Sequence, residues 1–397
     1  MHKEPETYDV VIVGGGPSGS TAAADLARRG RTVLLLDRAG RIKPCGGAIP
    51  PRLIRDFDIP DHLLVARITS ARIVSPKDRH VDMPIGGFVG MVDRDVFDEW
   101  LRERAARAGA IRRKGNFERI ERDGDGTALV RYRTSSAGEE LAIVRARTVL
   151  GADGANSAVA RQSIPAAGRV PFVFAYHEIV RSPSKNNDEF NAERCDVYYR
   201  GALSPDFYGW IFPHGDTTSI GTGSANKGFS LRKAVGALRK TAGLAHSETV
   251  RREGAPIPLR PLSRWDNGKD ILLAGDAAGV VAPASGEGIY YAMASGRFAA
   301  EALDSVLHTG DARLLRVARK EFMKAHGQVF RMLGMMQHFW YSNDNRRERF
   351  VHICKDKDVQ QLTWDAYMNK ELVRARPMAH MRIFFKNIAH LTGIASA

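Results

Sequence analysis

Cysteine is scarce in this chain of 397 residues: Cys45, Cys195 and Cys354 lie far apart, form no C-x-x-C pair and make an odd total. That pattern argues against a disulfide framework and against a cysteine-based zinc site. The twelve histidines include no H-E-x-x-H or similar spacing, so no metal is expected. No apolar run approaches the ~18 residues of a membrane-spanning helix. The opening MHKEPETYDVVIVGGG enters a strand without the apolar stretch and cleavage site of a signal peptide. Cytoplasmic residence is the resulting expectation. Acidic residues are also short, 45 Asp+Glu against 59 Lys+Arg, which leaves a net charge of +14. Eight of those charges fall in the last 87 residues, from Asp311 on, together with seven of the eleven methionines. Zinc-finger, RNP-type and helix-turn-helix signatures are missing, so nucleic acid is not expected as a partner. Basic residues mixed with Met, Phe and Trp suit an anionic membrane face, against the plainer reading of solvated basic helices.

What the chain does have begins at residue 8. Tyr8 to Val13 reads as a short strand, GGGPSG as a turn, STAAADLARRG as a small-residue helix, and TVLLLD as a second strand ending at Asp37. Gly14, Gly16 and Gly19 make G-x-G-x-x-G within a β-α-β unit. The first glycine forms the turn, the second admits a pyrophosphate to the helix start, and the third packs helix on strand. Asp37, eighteen residues after Gly19, is placed to accept hydrogen bonds from a ribose diol. With strand, helix, strand and acid in register, dinucleotide binding is favoured over a structural glycine turn, without separating FAD from NAD(P).

Two later stretches repeat the strand-turn-helix grammar. TVLGADGANSAVAR runs from a strand into Asp153-Gly154 and a helix start with Ser157 and Arg161. ILLAGDAAGVVAPASGEGIYYAMASG is a strand ending in Gly275-Asp276, a loop, then Gly286-Glu287-Gly288 opening a long helix. Asp276 at a strand end can hold a polyol hydroxyl, and the helix start directs its positive end at whatever lies ahead of it. These motifs in this order resemble the glutathione-reductase-like flavoproteins of the hydroxylase subtype. The resemblance implies that the first motif binds the ADP part of FAD and that Asp153-Gly154 meets the pyrophosphate region and NADPH. It further implies that Gly275 and Asp276 hold the ribitol, with Pro283, Gly286, Gly288 and Ile289 beside the flavin. VDRDVFDEWL resembles the family's Arg-containing helix start, which implies that Arg94 reaches FAD. Phe117, on the strand after GAIRRKGN, falls where that family passes backbone beside the adenine. With one fingerprint only, the nicotinamide donor is expected to visit and leave.

The stretch KPCGGAIPP is neither strand nor helix grammar. Gly46 and Gly47 free the backbone while Pro44, Pro50 and Pro51 stiffen its ends, which suits close approach to something flat. Further on, FYGWIFPHGD alternates Tyr208, Trp210 and Phe212, so the three rings share one strand face, and Pro213 is expected to end the strand. Such a face is either plain core or the wall of a long apolar pocket. PCGG together with Y-x-W-x-F-P resembles the geranylgeranyl reductases. KPCGGAIPPRLI and the tail DNRRERFVHICKDKDVQQLTWDAYMNKELVRARP resemble their chlorophyll and bacteriochlorophyll branch. The resemblance implies that Cys45, Gly46, Gly47 and Ala48 lie beside the isoalloxazine. It also implies that Tyr208, Trp210, Phe212 and Pro213 line a prenyl tunnel. The substrate would be a geranylgeranyl chain, as free diphosphate or esterified to a tetrapyrrole, and the product phytyl. An isolated trisubstituted alkene needs hydride and proton almost together, so a proton source is required. Cys45 is the first candidate, against the reading of a small apolar spacer. Tyr208 is the second candidate and a backbone-held water the third.

The expected architecture is α/β. A Rossmann-like FAD domain takes 1–65, 91–165 and 266–310, an inserted antiparallel-sheet substrate domain takes 66–90 and 166–265, and 311–397 form a basic helical region. Competing functions on the same fold are aromatic monooxygenase, quinone oxidoreductase, and a non-catalytic prenyl-binding escort that would not depend on flavin. The segment RPMAHMRIFFKNIAHLTGI places Met378, Met381, Phe384, Phe385, Ile388 and Leu391 at helical spacing, with Arg382, Lys386 and His390 at flanking positions. It is expected to seat the protein on a membrane surface.

Overall fold

The computed structural model describes residues 4–38, 42–134, 140–165, 167–184, 186 and 189–370. The amphipathic segment 376–394 lies outside the described residues. Two compact units emerge: Met1–Lys43, Arg94–Phe172 and Pro256–Phe330 form the first, and Pro44–Asp93, Val173–Ala255 and Arg331–Ala397 the second. Residues 44–65 and 331–370 therefore group with the second unit, in distinction to the boundaries read from sequence.

The first unit is a doubly wound sheet. Its parallel strands run in the spatial order Ile111–Lys114, Val33–Asp37, Thr7–Val13, Arg145–Gly151 and Ile271–Leu273. The central strands are almost continuous apolar runs, as a sheet covered on both faces requires. Ile111–Arg122 is one long strand, so IRRKGN belongs to it rather than preceding it. Its far half turns into an antiparallel meander with Ala128–Thr134 and the start of Leu141–Gly151. Helix Pro17–Arg28 packs on helix Ile289–Thr309 through small residues. A Cβ on Gly296 would stand 2.3 Å from the Ser18 carbonyl oxygen, so the contact tolerates no side chain there. Beyond it, Tyr291, Phe322, His326 and Phe330 pack edge-to-face with ring centroids 4.9–6.2 Å apart.

The second unit is built on an eight-stranded sheet. Its order is Thr249–Pro258, Phe172–Arg181, Thr217–Ser224, Gly209–His214, Arg194–Tyr198, Ala66–Val74, His80–Met91 and Ala48–Ile49. Most neighbours are antiparallel, and Arg194–Tyr198 pairs parallel with Ala66–Val74. Helix Leu231–Thr241 buries Ala234, Val235 and Leu238, the last two in a cluster with Ile211, Ile220 and Tyr198. Trp364, Tyr367 and Met368, spaced i, i+3 and i+4 on helix Lys357–Asn369, pack against Ile68, Ile85, Val89 and Met91. Helix Asp344–Ile353 is pinned by Arg347, whose buried guanidinium donates to Asp344 and to the carbonyls of Pro205 and Tyr341. The basic C-terminal region is therefore structural through residue 369, whatever else it does. No helix of the described residues is long and apolar enough to cross a membrane.

Candidate active site

The nucleotide motifs gather at the C-terminal ends of the parallel strands of the first unit. Gly14 has a φ of +109°, and a Cβ on it would stand 2.3 Å from the Ala152 carbonyl oxygen. A Cβ on Gly19 would stand 1.9 Å from the Gly14 carbonyl oxygen. Both glycines are demanded by the fold itself. Gly16 is different: its φ is −75°, and a Cβ there meets nothing within 4 Å. It precedes helix Pro17–Arg28, whose start no side chain caps. Open space thus faces unsatisfied N–H groups and the positive end of a helix. The Ser18 hydroxyl, in the first turn, is buried without a hydrogen-bond partner among the described residues. A diphosphate, rich in acceptor oxygens, fits this cradle.

Asp37 ends the neighbouring strand. One of its oxygens accepts the Gly15 N–H at 2.8 Å, and the other lies 3.8 Å from Nη1 of Arg102. Burial is the largest influence and raises its pKa, while the Gly15 bond and Arg102 work against it. Arg102 also donates to the Gly15 carbonyl at 3.2 Å and to Glu99 at 2.8 Å. Sequence reading missed it, although it follows Arg94 and Asp98 at successive steps of four on one helix. Arg94 itself is buried and grips Asp98 with two bonds of 2.8 and 2.7 Å.

Asp153 is engaged locally. It accepts from the Ser157 hydroxyl at 2.5 Å and from the Ala158 and Val159 N–H groups at 2.6 and 3.2 Å, which starts helix Ala158–Ser163. Burial raises its pKa against those bonds. Next to it, Gly154 has a φ of +85° and open space where a Cβ would be, so its backbone is the accessible part of that motif. Phe117 is half-buried and pairs with Tyr132. Asp276 forms an ion pair with Lys43, a residue 233 positions earlier that sequence reading also passed over. The loop after it has Ala284 at a φ of +64° and Gly286 at +67°, with Pro283 between Ala282 and this turn. Helix Ile289–Thr309 then starts behind Gly288 without a side-chain cap.

In the second unit, the glycine loop and the aromatic strand meet. Strand Gly209–His214 continues past Pro213, which corrects the expectation that Pro213 ends it. Pro213 pairs with Thr218 and His214 with Thr217, and the chain turns at Gly215 and Asp216. The register against Arg194–Tyr198 stops at Ile211, so the missing Pro213 N–H removes no ladder bond on that side. Tyr208, one residue before the strand, begins a row in which ring centroids are 6.0 Å apart for Tyr208–Trp210 and 6.3 Å for Trp210–Phe212. His214 is the next position of the same period-2 series. Its Nε2 donates to the Gly46 carbonyl at 3.1 Å and its Nδ1 faces Asp93 at 3.0 Å. The Phe212 ring lies 3.0 Å from where a Gly46 Cβ would be, and the His214 ring 2.5 Å from that of Gly47, whose φ is +70°. Gly47 is therefore needed for the loop to lie on the strand, while a Cβ on Gly46 would require the Phe212 ring to give by a few tenths of an ångström. Cys45 is half-buried and its Sγ accepts the Gly47 N–H at 3.4 Å. Cys195 and Cys354 are buried, and burial pushes both thiols up, Cys354 to about 12.

Comparison with known proteins adds lineage to this geometry. Over 388 residues the chain is 59% identical to a geranylgeranyl diphosphate reductase of Rhodobacter capsulatus, covering 98% of each sequence. The chain belongs to the geranylgeranyl reductase family. A wider family model, described as Lycopene cyclase protein, matches residues 9–385. Among solved structures, a geranylgeranyl bacteriochlorophyll reductase-like protein from Thermoplasma acidophilum superposes with a TM-score of 0.81 at 22% identity, covering 94% of this chain and 99% of that one. A flavin-dependent brominase follows at a TM-score of 0.74 and 18% identity, covering 98% and 100%. At those identities the likeness shows the fold: a flavoprotein-type α/β unit with an added large sheet. Within this reductase family, the Cys45 loop and the Tyr208–His214 row are the features that chemistry has to explain.

Proposed function

We propose that this protein reduces isolated C=C bonds of a geranylgeranyl chain to phytyl, with FAD as bound cofactor and NADPH as a transient donor. The observation that carries the reading is the junction in the second unit, where the Gly46–Gly47 backbone is held on a row of aromatic rings with Cys45 beside it. Bound and reduced, FAD would supply the hydride for one alkene carbon. The chain's own residues have the remaining tasks. Gly14, Gly16 and Gly19 present the uncapped helix start to the diphosphate, Asp37 and Arg102 face the adenosine ribose, and the Gly154 backbone serves the pyrophosphate side. Asp276, Lys43, Gly275, Gly286 and Gly288 would hold the ribitol end, and Arg94, braced on Asp98, would reach FAD from its helix start. Tyr208, Trp210 and Phe212 exclude water and orient the chain, and Cys45 holds the proton for the second alkene carbon. The +14 charge suits a diphosphate, and the apolar row suits either that substrate or a pigment ester.

Anaerobic spectroscopy tests the proposal. The purified protein is expected to be yellow, to bleach with NADPH, and to regain the oxidised spectrum when geranylgeranyl diphosphate or a geranylgeranylated tetrapyrrole is added. A second reading, cyclisation, is favoured by the match to the lycopene cyclase model over residues 9–385. Cyclisation conserves the elemental formula, whereas reduction adds one H2 per double bond, so product mass separates them. A product of unchanged mass, or reoxidation by oxygen alone, would sink the reductase reading.

The protein is proposed to work from the cytoplasmic side, peripheral on the inner or photosynthetic membrane, in pigment biosynthesis. The support is compositional: eight net charges from residue 311 on. Each basic residue near an anionic surface contributes about 1 kcal/mol, weakened by salt. Full-length protein is expected to float with anionic liposomes at low salt, and a form ending near Pro377 to float less. Equal flotation of the two, or none, would remove the membrane role from the tail.

A further inference from the structure

Behind the aromatic row lies a buried polar chain that the proposed chemistry does not use. The Trp210 indole N–H donates to the Ser219 hydroxyl at 3.1 Å. Ser219 Oγ is 2.9 Å from Nδ1 of His177, and Nε2 of His177 is 2.9 Å from a Glu253 oxygen. The other Glu253 oxygen meets Arg251 at 2.5 Å. Ser219 is 0% exposed, His177 3% and Trp210 6%. Four residues from four adjacent strands are thus joined, with Trp210, Ser219 and His177 buried and Glu253 partly exposed at the end of the chain.

The directions follow from what each group can do. A carboxylate only accepts, so Nε2 of His177 carries the hydrogen that points at Glu253. Nδ1 then accepts the Ser219 O–H, and the Ser219 oxygen is left to accept the indole N–H. Every donor in the chain has an acceptor, and no alternative order satisfies all of them with a neutral ring. Such a network, matched at each step and buried from Trp210 to His177, holds one geometry.

A second feature presses on the same ring. Trp210 and His177 are both register partners of Gly221, in the middle of strand Thr217–Ser224. A Cβ on Gly221 would stand 2.1 Å from Cζ2 and 2.5 Å from Cε2 of Trp210. The indole lies across this glycine, which explains an otherwise costly glycine in a strand interior. The ring is therefore held flat from below and tied by its nitrogen at one edge.

We infer that Glu253, His177, Ser219 and Gly221 form a lock that sets the orientation of Trp210, and through it which double bond of the prenyl chain is presented for reduction. These are positioning residues: none is assigned a contact with substrate. The inference rests on the reading that Trp210 lines the prenyl site. The indole nitrogen, tied to Ser219, is withheld from the apolar row, so the chain meets hydrocarbon there. A ring free to turn would leave the alkene less well placed, at a cost of about tenfold or more in rate for a shift of a fraction of an ångström.

The test uses the full-length holoprotein labelled with 5-fluorotryptophan. Five tryptophans give five 19F lines, and the Trp210 line is identified by its loss in Trp210→Phe. Ser219→Ala removes the acceptor, Gly221→Ala crowds the ring from below and also presses on His177, whose Cβ stands 2.6 Å from the added carbon, and Ser219→Thr keeps a hydroxyl. The expected result is a shifted or broadened Trp210 line in both alanine variants, with Ser219→Thr returning it towards wild type. Prenyl turnover should fall about tenfold in the alanine variants, with a larger share of partly reduced products. FAD content and Tm identify a variant that simply misfolds, and the two alanine variants differ in kind, Ser219→Ala removing an acceptor and Gly221→Ala adding bulk against Trp210 and His177. An unmoved Trp210 line in Ser219→Ala overturns the lock. A moved line with wild-type turnover and products overturns its positioning role. If Trp210→Phe also leaves turnover and products unchanged, the failure belongs to the assignment of Trp210 to the prenyl site.

Discussion

Gly16→Val is expected to purify folded and without flavin. The three glycines of the first motif differ in what a side chain would strike. At Gly19 it would run into the Gly14 carbonyl at 1.9 Å, and at Gly14 into Ala152 at 2.3 Å with a left-handed φ besides, so substitution there damages the fold. At Gly16 the backbone is extended, φ −75° and ψ −175°, and the added atoms meet no protein atom within 4 Å. They would occupy the space before the uncapped helix start that a diphosphate needs. A loss of at least ~100-fold in FAD affinity, about 2.8 kcal/mol, is the expected result. The flavin-to-protein absorbance ratio and an FAD titration of apoprotein measure it. The Tm of the apo variant should match that of apo wild type, because ligand linkage is absent from both. Wild-type FAD content in a folded Gly16→Val protein would show that the cradle binds something else.

Cys45→Ala is expected to separate the two halves of turnover. Reduction of the flavin by NADPH should proceed as in wild type, while reoxidation by the prenyl substrate slows by about 10²–10⁴-fold, the range for loss of a general acid. Cys45→Ser retains a donor of similar size and should recover part of that loss. The structural basis is the placement of Cys45: half-buried, turned back onto the Gly47 N–H at 3.4 Å, in the loop that Phe212 and His214 hold. The other two cysteines are buried with thiols pushed up by desolvation and do not compete for the role. Anaerobic stopped-flow absorbance follows both half-reactions. Equal reoxidation rates in wild type, alanine and serine forms would make Cys45 a small spacer and move the proton to Tyr208 or a bound water.

The nucleotide motif was legible in the sequence because everything that makes it is local. A strand, a glycine turn, a helix and a second strand follow within thirty residues, and Gly19 has its steric reason, the Gly14 carbonyl, inside the same motif. The aromatic row was legible for the same reason: alternation along one strand places Tyr208, Trp210 and Phe212 on one side wherever that strand goes. Family likeness came from those same short stretches.

His214 shows how a local rule can hide a residue. Proline usually closes a strand, so a strand stopped at Pro213 loses the next member of the alternating series, the one that holds Gly46. Only the neighbouring strand's shorter register makes Pro213 harmless, and register between strands far apart in sequence is a tertiary fact. Lys43 beside Asp276 and Arg102 beside Asp37 are likewise brought together by chain crossings that no short window contains. Asp153 carries the opposite lesson, since its motif points to a ligand while its carboxylate is engaged by the helix it starts. The sequence alone determined the elements and the chemistry they offer, because propensity, turn stereochemistry and side-chain period act over a few residues. The tertiary structure decided which polar atoms are free and which are tied, as with Ser219, His177 and Glu253 behind Trp210, because hydrogen-bond partners in a sheet are chosen across strands rather than along them.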